Sequence, residues 1–279
     1  MSFVDKIINA NVKFLWILLV VVLLVPLIKP IGLPLPMKEE TLSAYDFAES
    51  LPSGSWIIMS INISPMGEPE NWASAVAMYR HYMKKDFKII LLNTVPEGTM
   101  YAEKLWKNFS PEYEYEYGKN VVQMPFRAGN ESAISSMGAD FRGLYATDQY
   151  NTPLDDIPLF DGFRGIEDVS FLVEYASTIH PLYYLQQINA KYGVPMIVSI
   201  VAVDGPKFMP YYKSGQLKGL MSGVAAGAEY ELLNKTPGPG ASQMDALALG
   251  HLMFILAIVL SNIAWWLSKN QEYQKGGAH

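Results

Sequence analysis

The chain has 279 residues, of which 50% are hydrophobic, a formal net charge of −6 and no cysteine. The lack of cysteine excludes disulfide bonds, thiolate chemistry and cysteine-based zinc sites. Between residues 30 and 244 there are 16 Lys and Arg against 24 Asp and Glu, a difference of −8. An acidic surface repels phosphate backbones, so nucleic acid is not an expected partner.

The first apolar segment, Phe14–Ile28, reads FLWILLVVVLLVPLI and contains no charge. Extended back through residues 7–12, with Lys13 able to reach the interface, it has the roughly 20 residues that a bilayer core requires. A signal peptide is the competing interpretation. No small-residue cleavage site follows the segment, so we predict an uncleaved transmembrane helix.

The second apolar segment, residues 246–267, is long enough to span a bilayer, and Trp265 and Trp266 lie at its end. Two spans place both termini on the same side of the membrane. The lysines of the two short tails, Lys6 and Lys275 among them, favour cytoplasmic termini and an extracytoplasmic central domain. The prediction is a two-pass protein of the cell membrane, with the lipid bilayer as its first partner.

The segment between the two spans alternates between strand and helix patterns. Strands are predicted at residues 55–63, 87–92, 112–117, 121–124, 144–147, 169–175 and 195–203, and helices at 42–51, 69–85, 98–108, 128–139, 182–191 and 215–234. This order predicts an α/β fold with a mostly parallel, doubly wound sheet that resembles Rossmann-like domains in general. A fold of that kind does not determine a function.

The predicted organisation therefore has six parts. They are an N-terminal tail and transmembrane helix (1–29), a Pro-rich linker with a short helix (30–54), a Rossmann-like α/β domain (55–235), a hinge (236–243), a C-terminal transmembrane helix (244–268) and a tail (269–279).

Glycines recur at every fourth position of the last predicted helix of the domain, at Gly215, Gly219, Gly223 and Gly227. A glycine inside a helix costs about 1 kcal/mol relative to alanine. Four glycines on one stripe therefore predict that another element packs closely against that face. Two interpretations stay open, a helix of the same domain and an interface between subunits.

The standard catalytic motifs are absent from the sequence, which has no phosphate-binding glycine loop, nucleophile elbow or zinc-protease signature. No catalytic residue, cofactor or metal site is predicted. Three loop acids, Asp140, Asp148 and Asp155, could contribute to a divalent cation site, but a solvated loop is the favoured interpretation. His81 is predicted to be a solvated residue near the carboxyl end of its helix.

The position of polar residues relative to the predicted strands indicates where a ligand would bind. Ligands of open α/β sheets bind at the carboxyl ends of the strands. Small polar residues follow four of the predicted strands. The candidate ligand-binding residues are Ser60, Asn62, Ser64, Asn93, Thr94, Ser177, Thr178, His180 and Asp204. Helix capping by the same residue types is an equal alternative.

Three functions are consistent with these patterns. The first is a non-catalytic structural or interaction subunit, assembled with copies of itself or with other membrane subunits. The second is a surface receptor that binds a small polar solute at the carboxyl ends of the strands. The third is a membrane-tethered hydrolase or transferase with Asp204 or His180 as a base, and it has the least support because no nucleophile is paired with either residue.

Overall fold

The computed structural model describes residues 12–276, which form two compact units. The larger unit is Pro34–Gly240, and the smaller one combines the described residues of Met1–Leu33 and Ala241–His279. The helices are α1 (Val12–Ile28), α2 (Glu39–Glu49), α3 (Glu68–Lys84), α4 (Gly98–Phe109), α5 (Glu131–Ala139), α6 (Phe141–Leu144), α7 (His180–Tyr184), α8 (Ala190–Tyr192), α9 (Gly205–Lys213), α10 (Gly223–Asn234) and α11 (Pro239–Gly276). A π-helical turn, Leu185–Asn189, joins α7 to α8.

The larger unit is an α/β fold with one six-stranded sheet in which every strand pair is parallel. The strands are β1 (Trp56–Asn62), β2 (Lys88–Leu92), β3 (Val121–Gln123), β4 (Val169–Ala176), β5 (Met196–Ile200) and β6 (Leu217–Ser222), in the order β3-β2-β1-β4-β5-β6. Strands β2 and β3 therefore lie on one side of β1, and β4, β5 and β6 follow in order on its other side. The prediction of a parallel α/β sheet is confirmed.

Both faces of the sheet are covered, as a parallel sheet requires. The period-2 geometry of β1 directs Ile57 and Met59 to one apolar cluster and Ile58 to the other. The first cluster includes residues of α2, α3, α4 and α10, and we call this side the α3 face. The second includes residues of α5, α6, α7 and α9, and we call it the α7 face.

Three predicted elements of the domain are wrong. The alternating segment 112–117 is not a strand, because Ser110–Tyr113 is a 3₁₀ turn and Glu114 has a left-handed backbone with φ 56°. Residues 144–147 form no strand either, and only Thr147 makes an isolated bridge. The helix predicted over residues 215–234 is instead β6 followed by α10.

The smaller unit contains α1 and most of α11. In the described part of the chain, one helical segment, Pro239–Leu267, is both long and apolar enough to cross a membrane. At 17 residues, α1 is shorter than the roughly 20 residues of a full span. Inside this unit, the carboxylate of Asp245 accepts backbone N–H bonds from Ile31 (2.6 Å), Gly32 (2.8 Å) and Leu33 (2.9 Å), which joins the segment after α1 to α11.

The predicted hinge over residues 236–243 is shorter than expected, because α11 already begins at Pro239. Glu231 explains this early start. Its two carboxylate oxygens accept the N–H groups of Gly238 (2.9 Å) and Gly240 (2.8 Å), which an α-helix leaves without partners at its N-terminus. An anionic group is also favoured there by the helix dipole.

Candidate functional site

The strand order reverses between β1 and β4, and the loops that follow these two strands meet at the carboxyl edge of the sheet. Gly67 lies in the loop after β1, and a Cβ atom there would come within 1.6 Å of Oγ of Ser177, which follows β4. Only glycine fits such a close approach. Ligands of open parallel sheets bind at a reversal point of this kind.

A buried polar cluster lies beneath this reversal point on the α7 face. The side-chain amide of Asn62 donates to Oε1 of Glu174 (2.8 Å) and to Oγ of Ser60 (3.1 Å), and the Ser60 hydroxyl donates to the Tyr184 hydroxyl (2.8 Å). Glu174 and Ser60 belong to paired positions of β4 and β1. Four polar side chains are therefore buried together at the centre of the sheet.

Glu174 is fully buried, and this burial raises the pKa of its carboxyl group to about 8, against the opposing effect of the neighbouring Ser60 hydroxyl and of the hydrogen bond from Asn62. The group is therefore largely neutral at pH 7. Its second oxygen, Oε2, has no hydrogen-bond partner within the structure. The local sequence VSFLVEYA does not predict that this glutamate is neutral, because its hydrogen-bond partners are more than a hundred residues away.

Asn62 also organises the loop after β2. Its Oδ1 accepts the backbone N–H groups of Thr94 (2.8 Å) and Val95 (3.2 Å). Asn93, which is fully buried, donates to the carbonyl of Val95 (2.7 Å) and to Oγ1 of Thr99 (3.0 Å). The fold thus brings together three of the predicted candidates, Asn62, Asn93 and Thr94. The hydrogen bonds given above join them to other residues of the chain.

On the opposite face, Asn71 of α3 makes a contact that the sequence did not indicate. Its amide donates to the carbonyl of Ala176 (3.0 Å) and to Oγ of Ser177 (3.4 Å), while its Oδ1 accepts from Ser199 (3.2 Å). Asn71 thereby fixes the start of the loop after β4. The predicted candidate Ser177 is half-buried in this arrangement.

His180 is nearly buried at the start of α7, and burial lowers the pKa of its imidazole below the usual value. Nδ1 lies 2.5 Å from Oγ1 of Thr178, and Nε2 lies 3.1 Å from Oδ1 of Asn130, which precedes α5. Because an amide oxygen only accepts, Nε2 carries the proton and the Thr178 hydroxyl donates to Nδ1. Both nitrogens of a neutral imidazole are therefore engaged.

Arg127 lies in the loop between β3 and α5, with its guanidinium carbon 5.5 Å from the ring centroid of Tyr145. Its Nε atom is buried without a hydrogen-bond partner. Arg127 was not among the residues predicted from the sequence. A basic residue after a strand of three residues carries no signal of its own.

The last two candidates lie apart from the buried cluster. Ser64, half-buried after β1, accepts the backbone N–H of Gly67 at 3.3 Å, as a turn-forming serine does. Asp204 is half-exposed directly before α9 and makes no side-chain capping bond there.

The predicted stripe of four glycines on one helix is wrong, since only two of them lie in α10. Gly215 has φ +80° in a turn, Gly219 is in β6, Gly223 begins α10 with φ +71°, and Gly227 lies inside it. A Cβ atom at Gly219 would come 2.3 Å from Cβ of Ala44 in α2. At Gly227 it would come 2.8 Å from the backbone nitrogen of Ser74 in α3. Both glycines therefore allow close packing within the domain.

The prediction that His81 is solvated is also wrong. Its side chain is 1% exposed on the α3 face, with Nδ1 2.7 Å from the Tyr230 hydroxyl and Nε2 2.8 Å from Oε1 of Glu49. The ring stacks on Tyr45 with a centroid separation of 4.5 Å. His81 of α3 thereby connects α2 with α10, and burial lowers the pKa of its imidazole.

The three loop acids have separate structural contacts. Asp140 accepts the N–H of Gly143 at 2.8 Å, Asp155 pairs with Arg142 at 2.6 Å, and Asp148 accepts the N–H of Thr152 at 2.7 Å. Among residues 12–276, no group of three or more His, Asp or Glu side chains could hold a metal ion.

A groove of about 820 Å³ lies along the outer side of β6, away from the reversal point. Its lining residues come mainly from α9 and the segment around the start of α2, and include Lys38, Glu40, Gly205, Lys213 and Ser222. None of the predicted candidates lines it.

No family model matches this chain, and no curated protein or solved structure shows significant similarity to it.

Proposed function

We propose that this protein is a membrane-anchored α/β domain that binds a small polar solute at the carboxyl edge of its sheet. The observation that carries the proposal is the convergence of Ser60, Asn62, Glu174 and Tyr184 directly beneath the point where the strand order reverses. Burying polar side chains costs free energy unless they are hydrogen-bonded to each other, as these four are. They lie where open parallel sheets bind ligands.

The order of the strands in the sheet supports the same proposal. We infer a Rossmann-like domain from the strand order, which is that of doubly wound nucleotide-binding sheets. The chain lacks a G-x-G-x-x-G loop after β1, where the sequence is SPMGEP. A dinucleotide is therefore not the solute that we propose.

The structural or interaction subunit, the first function considered from sequence, loses one of its arguments. Gly219 and Gly227 are in contact with α2 and α3 of the same domain, so they supply no evidence for a subunit interface. A homo-oligomer and other membrane subunits remain proposals without a structural observation behind them. The solute receptor takes precedence for that reason.

The hydrolase or transferase is the weakest of the three proposals. The bonds of His180 to Thr178 and to Asn130 pair one hydroxyl with an imidazole, and no further observation favours a reaction there. Asp204 makes no described contact with a serine or threonine hydroxyl.

Membrane anchoring rests on Pro239–Leu267, and we propose that α1 is a second span. Within the smaller unit the two helices are in contact: a Cβ atom on Gly250 would lie 3.1 Å from Cδ2 of Leu23. Apolar side chains of α1, such as Trp16 and Ile28, are exposed as lipid-facing residues are. We further propose cytoplasmic termini and an extracytoplasmic domain, on the charge pattern of the short tails.

Thermal unfolding of the full chain in detergent, across a panel of small polar solutes, tests the solute-binding proposal. We expect at least one solute to raise the midpoint of unfolding, because a ligand that binds only the native state stabilises it. Replacing Thr178 with valine should reduce that shift, since Thr178 is exposed at the edge. Ser53→Ala, at the opposite edge, is the matched control and should leave the shift unchanged. Equal shifts in both variants would place the site elsewhere.

A further inference from the structure

Arg127 differs from the other arginines of the chain. The sequence has four, and three of them pair with a carboxylate: Arg80 with Glu112, Arg142 with Asp155, and Arg164 with Asp168. Among the described residues Arg127 makes no ion pair. Its Nε is buried without a hydrogen-bond partner, while the side chain as a whole keeps some exposure.

The loop that carries Arg127 runs across the carboxyl edge of the sheet. It leaves β3 at one end of the sheet and ends at Asn130, whose side chain is hydrogen-bonded to His180 after β4. Strands β2 and β1 lie between β3 and β4, so the two ends of this loop lie on either side of their carboxyl ends. Packing of α5 on the helix after β4 fixes that course, and a Cβ atom on Gly138 would lie 2.9 Å from Cδ1 of Ile188.

The surroundings of Arg127 favour an anion. Tyr145 is buried beneath the guanidinium, and a cation–π contact of this type compensates only about 0.5–2 kcal/mol of the cost of desolvating a charge. The nearest acid in the sequence, Glu131, accepts a hydrogen bond from Gln187 at 2.7 Å. A guanidinium group offers a planar set of donors that matches the two oxygens of a carboxylate or phosphate.

Two buried titratable groups of this edge, Glu174 and His180, are largely uncharged at pH 7, while Asp204 lies apart from them, half-exposed before α9. Burial raises the pKa of Glu174 to about 8, so its carboxyl is largely neutral. Burial lowers the pKa of His180, whose neutral ring holds the loop through Asn130. Arg127 makes no ion pair with either group, and its Nε is buried without a hydrogen-bond partner.

We propose that Arg127 binds the anionic group, a carboxylate or a phosphate, of the solute recognised at the carboxyl edge. This inference rests on the proposed function and adds the charge class of its ligand. His180 and Asn130 are positioning residues, since they hold the loop and do not contribute charge.

Chemical modification of the full chain by phenylglyoxal, which reacts with arginine, tests the inference. Peptide mass spectrometry gives the rate at each of the four arginines, and we expect an anion to slow the reaction of Arg127 but not that of the exposed Arg164. Acetate and inorganic phosphate are the two probes, with glycerol as the neutral control. Protection by acetate alone assigns a carboxylate, and protection by phosphate alone assigns a phosphate. Unchanged modification in both anions overturns the inference.

A binding measurement separates this inference from the proposed function. Arg127→Gln should weaken binding of any anionic solute from the panel about tenfold or more, with Arg127→Lys intermediate. Arg164→Gln, which removes an exposed arginine far along the chain, is the matched control and should bind as the parent does. If a solute binds equally to Arg127→Gln and the parent, Arg127 has no such role and the solute-binding proposal stands. If no solute stabilises the parent chain, the proposed function itself fails.

Discussion

Nε2 of His180 lies 3.1 Å from Oδ1 of Asn130, so two loops that are fifty residues apart in sequence are hydrogen-bonded at the carboxyl edge of the sheet. Asn130 has φ 45° and ψ −114°, a backbone conformation that favours glycine and is uncommon for asparagine. The bond defines one tautomer of His180, with the proton on Nε2. It connects the Arg127 loop to the turn after β4.

Asn130→Gly should loosen this loop without straining its backbone, because glycine adopts positive φ readily. We expect faster amide hydrogen exchange for residues 125–130, because the variant loses the hydrogen bond to His180. Asn151→Gly is the matched control, since Asn151 also has a positive φ, of 65°, and is exposed. Equal exchange in both variants would show that the His180 bond does not order the loop.

Glu174→Gln should change how stability depends on pH. The pKa of Glu174 is about 8 in the folded protein against 4.5 as its ordinary value, so the folded state binds more protons in that interval. The free energy of unfolding therefore falls as pH rises from 4.5 to about 8, by up to about 1.4 kcal/mol per pH unit from this group. Denaturant titrations at several pH values should show this slope in the parent and a flatter one in the variant.

Glu114→Gln is the control for that experiment, because Glu114 is exposed. The slope should persist in it. A slope that is the same in the parent, Glu114→Gln and Glu174→Gln would mean that Glu174 is ionised in the folded protein.

His81→Gln should reduce the loss of stability in acid. Burial lowers the pKa of His81 below 6.5, so below pH 6.5 the unfolded state binds protons that the folded state does not, and the free energy of unfolding falls. Glutamine does not titrate, which removes this contribution. Above pH 6.5 we expect the variant to be less stable by about 1–3 kcal/mol, because Tyr230 or Glu49 loses a buried partner. Acid sensitivity identical to the parent would contradict this account.

Gly227→Ala tests the close packing of α10 on α3. Helix propensity alone predicts a gain of about 1 kcal/mol. The new Cβ would meet Cβ of Ala73 at 2.7 Å and the backbone nitrogen of Ser74 at 2.8 Å, neither of which can move freely. We therefore expect a net loss of about 1–3 kcal/mol from overpacking, measured by chemical denaturation. Gly165→Ala, where the nearest atom belongs to the flexible carboxylate of Glu167, should cost much less.

Deletion of residues 1–28 tests the two helices of the smaller unit separately. Pro239–Leu267 is long enough to span a bilayer by itself, so the shortened chain should remain in the membrane pellet after alkaline carbonate extraction. A chain ending at residue 238 retains only α1, and its retention in the pellet would support α1 as a second span. Release of the first variant into the supernatant would show that Pro239–Leu267 does not anchor the protein.

Much of the fold follows from the sequence, because its signals are local. The apolar run of β5, the helical spacing of α3 and the alternation of strands with helices predicted a parallel α/β sheet. The errors occurred where tertiary contacts override local pattern. Gly215–Gly227 has a four-residue period suited to a helix, yet Leu217–Ser222 forms hydrogen bonds with β5 and becomes the last strand.

The sequence by itself determined the class of the domain and the position of the candidate edge, since strand ends follow from hydrophobic patterning along a few residues. Only the tertiary structure decided the chemical state of the site. Burial inside the folded domain raises the pKa of Glu174, and His81 is buried because residues as distant as Tyr230 pack around it. Arg127 lacks a partner because no carboxylate is brought to it in the described chain. Desolvation and pairing depend on what surrounds a side chain in space, which the order of residues does not show.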